Sequence, residues 1–204
     1  MLDLLFSNPA AFALIFGGII IAIGLHEAAH AFMADYLGDP TPRSLGRTTL
    51  NPIAHLDPVG TLVILFTGFF GWGKPAPYDP FNLRDPKRDT ALIALAGPAS
   101  NLLLAVIFSL VLRLFNFPLA VTTTIYLFIR LNIGLALFNF LPAPPLDGSK
   151  IVGIFMSNTS ALRFQSRDNP LLLLLLVLPV FGGASLAWLF LSPVSDFLLK
   201  LLLP

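Results

Sequence analysis

The chain has 204 residues, of which 56% are hydrophobic and 11% charged, with a formal net charge of +1. A soluble domain carries about 25% charged residues, so a chain this apolar could not hide its side chains in one small core, and lipid is its natural solvent. With no cysteine there are no disulfides, thiolate metal sites or cysteine nucleophiles, which leaves His, Asp and Glu to hold any metal; the near-neutral charge gives no reason to expect nucleic acid.

Residues 9–34 are the first long apolar stretch, enough for a helix crossing about 30 Å of hydrocarbon. With Asp3, no early Lys or Arg, and an apolar stretch of full bilayer length, the N-terminus does not read as a cleaved signal peptide. Polar, proline-rich sequence follows to Pro58. Residues 59–73 are apolar but short and broken by glycine, which suits strands or a re-entrant piece. The next segment carries prolines at 75, 77, 80 and 86 and cannot be regular helix. Second and third spans are predicted over 90–114 and 119–141, with 149–156 continuing the third helix beyond a break. A further span is predicted over 171–191, and 193–203 is a short terminal apolar segment. There is no internal repeat. The fold class is an all-α polytopic membrane protein of about four to six transmembrane helices. It is one domain, 1–204, with a core of about 9–157 and C-terminal helices over 171–203.

Cations set the orientation. Arg43, Arg47, Lys74, Arg84, Lys87 and Arg88 lie between the first two long stretches, and Arg163 and Arg167 follow the third. The opposite side has at most Arg113 and Lys200. The first helix is therefore expected to run from outside to inside a multi-pass plasma-membrane protein, with its C-terminal end nearer the cytoplasm.

That end carries HEAAH, residues 26–30. Positions four apart share a helix face, so His26 and His30 can point both imidazoles at one ion. Glu27 sits beside them, able to take a proton from metal-activated water. Glu27 is the only glutamate in the chain, and the histidines are 26, 30 and 55 alone. Ionisable groups inside an apolar span cost at least about 2.5 kcal/mol each and call for a purpose. A catalytic zinc takes three protein ligands and keeps one open position. No second Glu exists to complete the set, and the position six beyond His30 is Tyr36, leaving His55 and the aspartates. Asp147 stands out among these, at the expected membrane depth beyond prolines 142, 144 and 145, which free the backbone to turn a carboxylate inward. Its competing role is an N-cap for the segment GSKIVGIF.

HEAAH on a membrane helix, GPASN at 97–101 and NFLPAPPLDG at 139–148 together resemble the site-2 protease family of intramembrane metalloproteases. LNPIAHLDPVGT at 50–61 and GWGKPAPYDP at 71–80 are similar to its short prokaryotic members without a PDZ domain, and the likeness covers most of residues 20–155. The resemblance implies one zinc held by His26, His30 and Asp147, with Glu27 as general base and later proton donor. It implies that Asn139 lies near the substrate carbonyl, where an amide N–H suits a developing oxyanion; bonding to backbone freed by the proline break is the other reading. Gly97, Pro98 and Asn101 would belong to a core helix packed on HEAAH. GWGKPAPY would belong to a small membrane-associated β element that receives extended substrate. Substrates would be transmembrane segments or signal peptides. The alternative function is a membrane zinc-binding protein or ZIP-like transporter, which needs a polar path on a second helix and more spans. His55 and Asp57 read either as a pair bracing a zinc ligand or as braces of a cytoplasmic loop. Arg130 reads as snorkelling or as paired with an aspartate.

Overall fold

The computed structural model describes residues 2–67, 71–166, 176, 178–181 and 184–203. Helix α1 (Leu2–Ser7) leads into α2 (Pro9–Tyr36). Pro9 occupies the first turn of α2, where its missing N–H costs nothing, and the side chain of Asn8 accepts from the amide of Ala11 at 3.1 Å. Just past the last turn Gly38 takes φ +107°, a conformation that lets the chain leave the helix. After a short α3 (Thr41–Ser44) and a 3-10 turn at Pro52–His55 comes α4 (Pro58–Thr67). Helix α5 (Pro86–Leu114) starts the same way as α2: Pro86 leads, and Asp85 accepts from the amide of Arg88 at 3.1 Å. It is followed by α6 (Leu119–Asn139), α7 (Asp147–Val152), α8 (Asn158–Gln165) and α9 (Leu186–Leu202).

Three helices, α2, α5 and α6, are long and apolar enough to cross a membrane among the described residues. They match the first three predicted spans, and the chain is an all-α membrane protein. Helix α5 is the hub, packed against α2, α6 and α7. Ile19 and Ile23 of α2 meet Ile64 of α4, with Leu131 and Leu135 of α6 against them. Ala105 of α5, Ile129 and Ile133 of α6 and Leu199 of α9 form a second buried cluster. Leu103, Ile107, Leu110 and Leu114 remain exposed along one face of α5. Their i, i+4, i+7 spacing makes a stripe that only lipid would cover without penalty.

The structure corrects several expectations. Residues 58–67 are helical, which rules out strands there, and Gly60 packs closely on residue 72: a Cβ on Gly60 would lie 2.2 Å from the carbonyl oxygen of Trp72. The expected β element at 71–80 is reduced to one isolated bridge, Leu56 with Gly73. The short antiparallel pair β1 (Pro179–Phe181) and β2 (Ala184–Ser185) lies elsewhere. The segment 149–156 is not a continuation of the third helix; α7 is separate and ends in a 3-10 turn at Gly153–Phe155. Most of the span expected over 171–191 lies outside the described residues. Its boundary with 193–203 is not there, because α9 runs straight through Pro193. Proline is tolerated in such a helix when its neighbours satisfy the freed groups.

Two cations find explicit roles. Arg113 donates to the carbonyls of Leu201 and Leu202 at 3.1 and 3.2 Å, and the Ser109 hydroxyl also donates to Leu202, so α5 closes the last turn of α9. The guanidinium of Arg130 lies 5.5 Å from the centre of the Trp188 ring, a cation–π contact between α6 and α9.

Candidate metal centre

Helix α2 places His26 and His30 one turn apart, facing α5. Each ring is held from behind through Nδ1. His30 Nδ1 lies 2.7 Å from the carbonyl oxygen of Ile93, which can only accept, so Nδ1 carries the proton. His26 Nδ1 lies 2.7 Å from Asn101 Oδ1. The amide nitrogen of Asn101 donates to the Ala22 carbonyl at 3.3 Å and to Asn132 Oδ1 at 3.0 Å, which leaves its oxygen to accept from His26. Both Nε2 atoms are therefore bare lone pairs directed into one space.

Asp147 meets them there. It is the first residue of α7 and caps nothing: the cap residue is Leu146, and no side-chain capping bond is made. Its Oδ2 lies 3.2 Å from His26 Nε2 and 3.3 Å from His30 Nε2, and the two Nε2 atoms are 3.0 Å apart. All three residues are buried, between 6% and 7% exposed. Donors about 2.0–2.1 Å from a tetrahedral zinc stand about 3.3 Å from one another, so the triangle has the size of one face of such a site. Three acceptors pointed at each other in a buried space repel unless a cation lies between them. The donor set fits zinc.

Two glycines permit this approach. A Cβ on Gly97 of α5 would lie 2.4 Å from His30 Nε2 and 2.6 Å from His26 Nε2. A Cβ on Gly148 would lie 2.3 Å from the carbonyl oxygen of Phe140, so the turn that swings Asp147 inward also needs a bare Cα. The other oxygen of Asp147, Oδ1, is 3.7 Å from Lys150 Nζ.

The remaining expected residues make hydrogen bonds of their own. Glu27, half-buried on α2, accepts from the backbone amide of Ala76 at 3.0 Å. Asn139, at the end of α6, donates one amide hydrogen to the Leu135 carbonyl one turn back, at 2.9 Å. His55 and Asp57 are loop braces: His55 Nε2 bonds the Thr49 carbonyl at 2.9 Å, and Asp57 accepts from the amide of Gly60 at 2.7 Å. Nearby, Asp39 ties two loops together. Burial works against its charge, yet bonds from the Thr41 hydroxyl, the Asn82 amide and the Asp79 and Thr41 backbone hold its carboxyl below the usual range.

Asn132 was missed by the sequence reading. It receives Asn101 and returns its own amide to the Phe128 carbonyl at 2.9 Å, completing a relay from α6 through α5 to His26. A polar residue inside an apolar span was the available signal. Asn101→Leu removes the acceptor that fixes the His26 ring, and zinc affinity is expected to fall about 10- to 100-fold in chelator competition.

The chain is 39% identical over 198 residues to "Putative zinc metalloprotease YwhC" of Bacillus subtilis, covering 90% of this chain and 88% of that protein. It is 34% identical over 148 residues to "Putative zinc metalloprotease Rip2" of Mycolicibacterium smegmatis, covering 70% of this chain and 57% of that protein. "Zinc metalloprotease MJ0392" of Methanocaldococcus jannaschii is 22% identical over 151 residues, 74% of this chain and 37% of its own. No family model matches the chain, and no solved structure matches it.

Proposed function

The chain belongs to the site-2 protease family of zinc metalloproteases, and on that premise we propose that it is an intramembrane endopeptidase cutting transmembrane segments of other proteins. The observation that carries the reading is the meeting of two bare Nε2 atoms and one carboxylate oxygen within 4.8 Å of one another, on and beside helices built to lie in lipid.

In this reading His26, His30 and Asp147 hold one zinc. Bound there, zinc would act as a Lewis acid, lowering the pKa of a water towards about 7 and polarising a carbonyl. The protein supplies everything else. Glu27, the neighbour of His26 on the same helix, accepts the proton that water loses and delivers it to the departing amine. Asn139 spends one N–H on Leu135 and keeps a second, which would donate to the substrate's carbonyl oxygen as charge builds there. A substrate helix hides its carbonyls in its own hydrogen bonds, so it has to unwind locally before either group can reach it. The proline-rich segments beside the site, 75–80 and 142–145, offer backbone that is not committed to helix. In this reading they face the cytoplasm from the plasma membrane, an orientation that the cations around them support.

The test is a purified, reconstituted protein. Wild type is expected to carry one zinc per chain and to cleave a model transmembrane substrate, with both properties lost to a chelator and restored by zinc. Zinc flux across proteoliposomes without cleavage would instead support a transporter.

A further inference from the structure

The chain from Gly73 to Asp79 forms a strap beside the catalytic helix, tied down by hydrogen bonds along its length. The amide of Lys74 donates to the His55 carbonyl at 2.8 Å, next to the Leu56–Gly73 bridge. Gly73 fits against α2 closely enough that a Cβ would lie 3.0 Å from Cγ of Glu27. At the far end the amide of Asp79 donates to Asp39 at 2.7 Å. Pro75 and Pro77 have no N–H. The amide of Ala76 is thus the single donor between Lys74 and Tyr78, and it is the one that meets Glu27 Oε2 at 3.0 Å.

Arg47 holds the stretch just before it. Its Nη2 donates to the carbonyl of Lys74, with the Pro75 carbonyl at 3.4 Å. The residue is only 5% exposed, and among the described residues it has no carboxylate partner; its Nε has no hydrogen-bond partner either. Burying a guanidinium against carbonyls alone is costly. Any apolar side chain would fill the space more cheaply, so the charge points to a task that filling cannot do.

We infer that Arg47 is a positioning residue for Glu27: by gripping the carbonyls of Lys74 and Pro75 it aims the Ala76 amide at the Glu27 carboxylate. With Oε2 tied to that amide, the carboxylate is restricted to one orientation and Oε1 is left for proton transfer. Arg47 touches neither substrate nor metal in this scheme and acts through the strap. The inference rests on the proposed role of Glu27 as general base.

Three variants of the full chain in lipid test it: Arg47→Met, Ala76→Pro and Glu27→Gln. Ala76→Pro deletes the one N–H in a stretch already flanked by prolines, so it carries the test even if Arg47→Met does not fold. For both, zinc content and KM on a model transmembrane substrate are expected to match wild type while kcat falls about 10- to 100-fold, the scale of a misplaced catalytic group. The Ala76 amide resonance in a labelled sample should shift in Arg47→Met. Glu27→Gln should be inactive. Wild-type kcat in Ala76→Pro, beside an inactive Glu27→Gln, overturns the inference and leaves the base assignment standing. A raised KM with unchanged kcat overturns it too, making the strap a substrate contact. Lost zinc in Arg47→Met with normal kcat per zinc in Ala76→Pro makes Arg47 a scaffold residue. Full activity in Glu27→Gln removes the base, and the inference with it.

Discussion

Glu27→Gln is expected to bind zinc as wild type does and to lose cleavage by about 100- to 10,000-fold, the usual contribution of a general base. The separation of the two effects follows from the geometry. The metal-facing atoms belong to His26, His30 and Asp147, and none of the bonds that orient them involves the side chain of Glu27. Glutamine is nearly isosteric and keeps a carbonyl oxygen to accept from Ala76, so the strap stays in place. What disappears is the ability to take up a proton at neutral pH. Zinc content by elemental analysis and single-turnover cleavage of a transmembrane substrate measure the two independently. Cleavage at the wild-type rate would assign the proton transfer elsewhere. The chain offers no second glutamate to take it.

Much of this was legible because hydropathy and the helical repeat are local properties. The apolar runs at 9–34, 90–114 and 119–141 became α2, α5 and α6, with ends shifted by up to about four residues, since a backbone in lipid has to close its hydrogen bonds within one helix. His26 and His30 could be paired for the same reason, being four residues apart on one face. Asp147 was reachable because the lack of a second glutamate left His55 and the aspartates, and the prolines before it and the resemblance of NFLPAPPLDG pointed to this one. Non-local choices were not legible. Nothing in residues 59–73 says that Gly60 will pack against the backbone of Trp72, a contact that only the folded chain brings about. Pro193 reads as a helix end, and only the contacts of α9 with α6 and α5 make a continuous helix the better solution. The partner of Glu27 is a backbone amide, and backbone amides leave no trace in a sequence. Arg130 shows the same limit: its charge was plain at membrane depth, whereas Trp188 as its neighbour required the fold.

Gly97→Ala adds one methyl group, and it is expected to remove at least nine-tenths of the zinc while the helices stay folded. The added carbon would stand 2.4 Å from His30 Nε2, 2.5 Å from its Cε1 and 2.6 Å from His26 Nε2, far inside van der Waals contact. A flexible side chain could swing away from such a clash. These rings cannot, because each is fixed by a 2.7 Å bond at Nδ1, one to Asn101 and one to Ile93. Relief therefore means breaking one of those bonds or pushing α5 away from α2, and either separates the Nε2 atoms that have to share an ion. Alanine is itself the better helix former by about 1 kcal/mol, so the helix has no reason of its own to resist the change. The expected result is a protein with wild-type helical content by circular dichroism, less than one-tenth of the zinc and no cleavage. Normal zinc in Gly97→Ala would mean that the two imidazoles do not face α5 as the structure has them, and the proposed centre would have to be sought elsewhere.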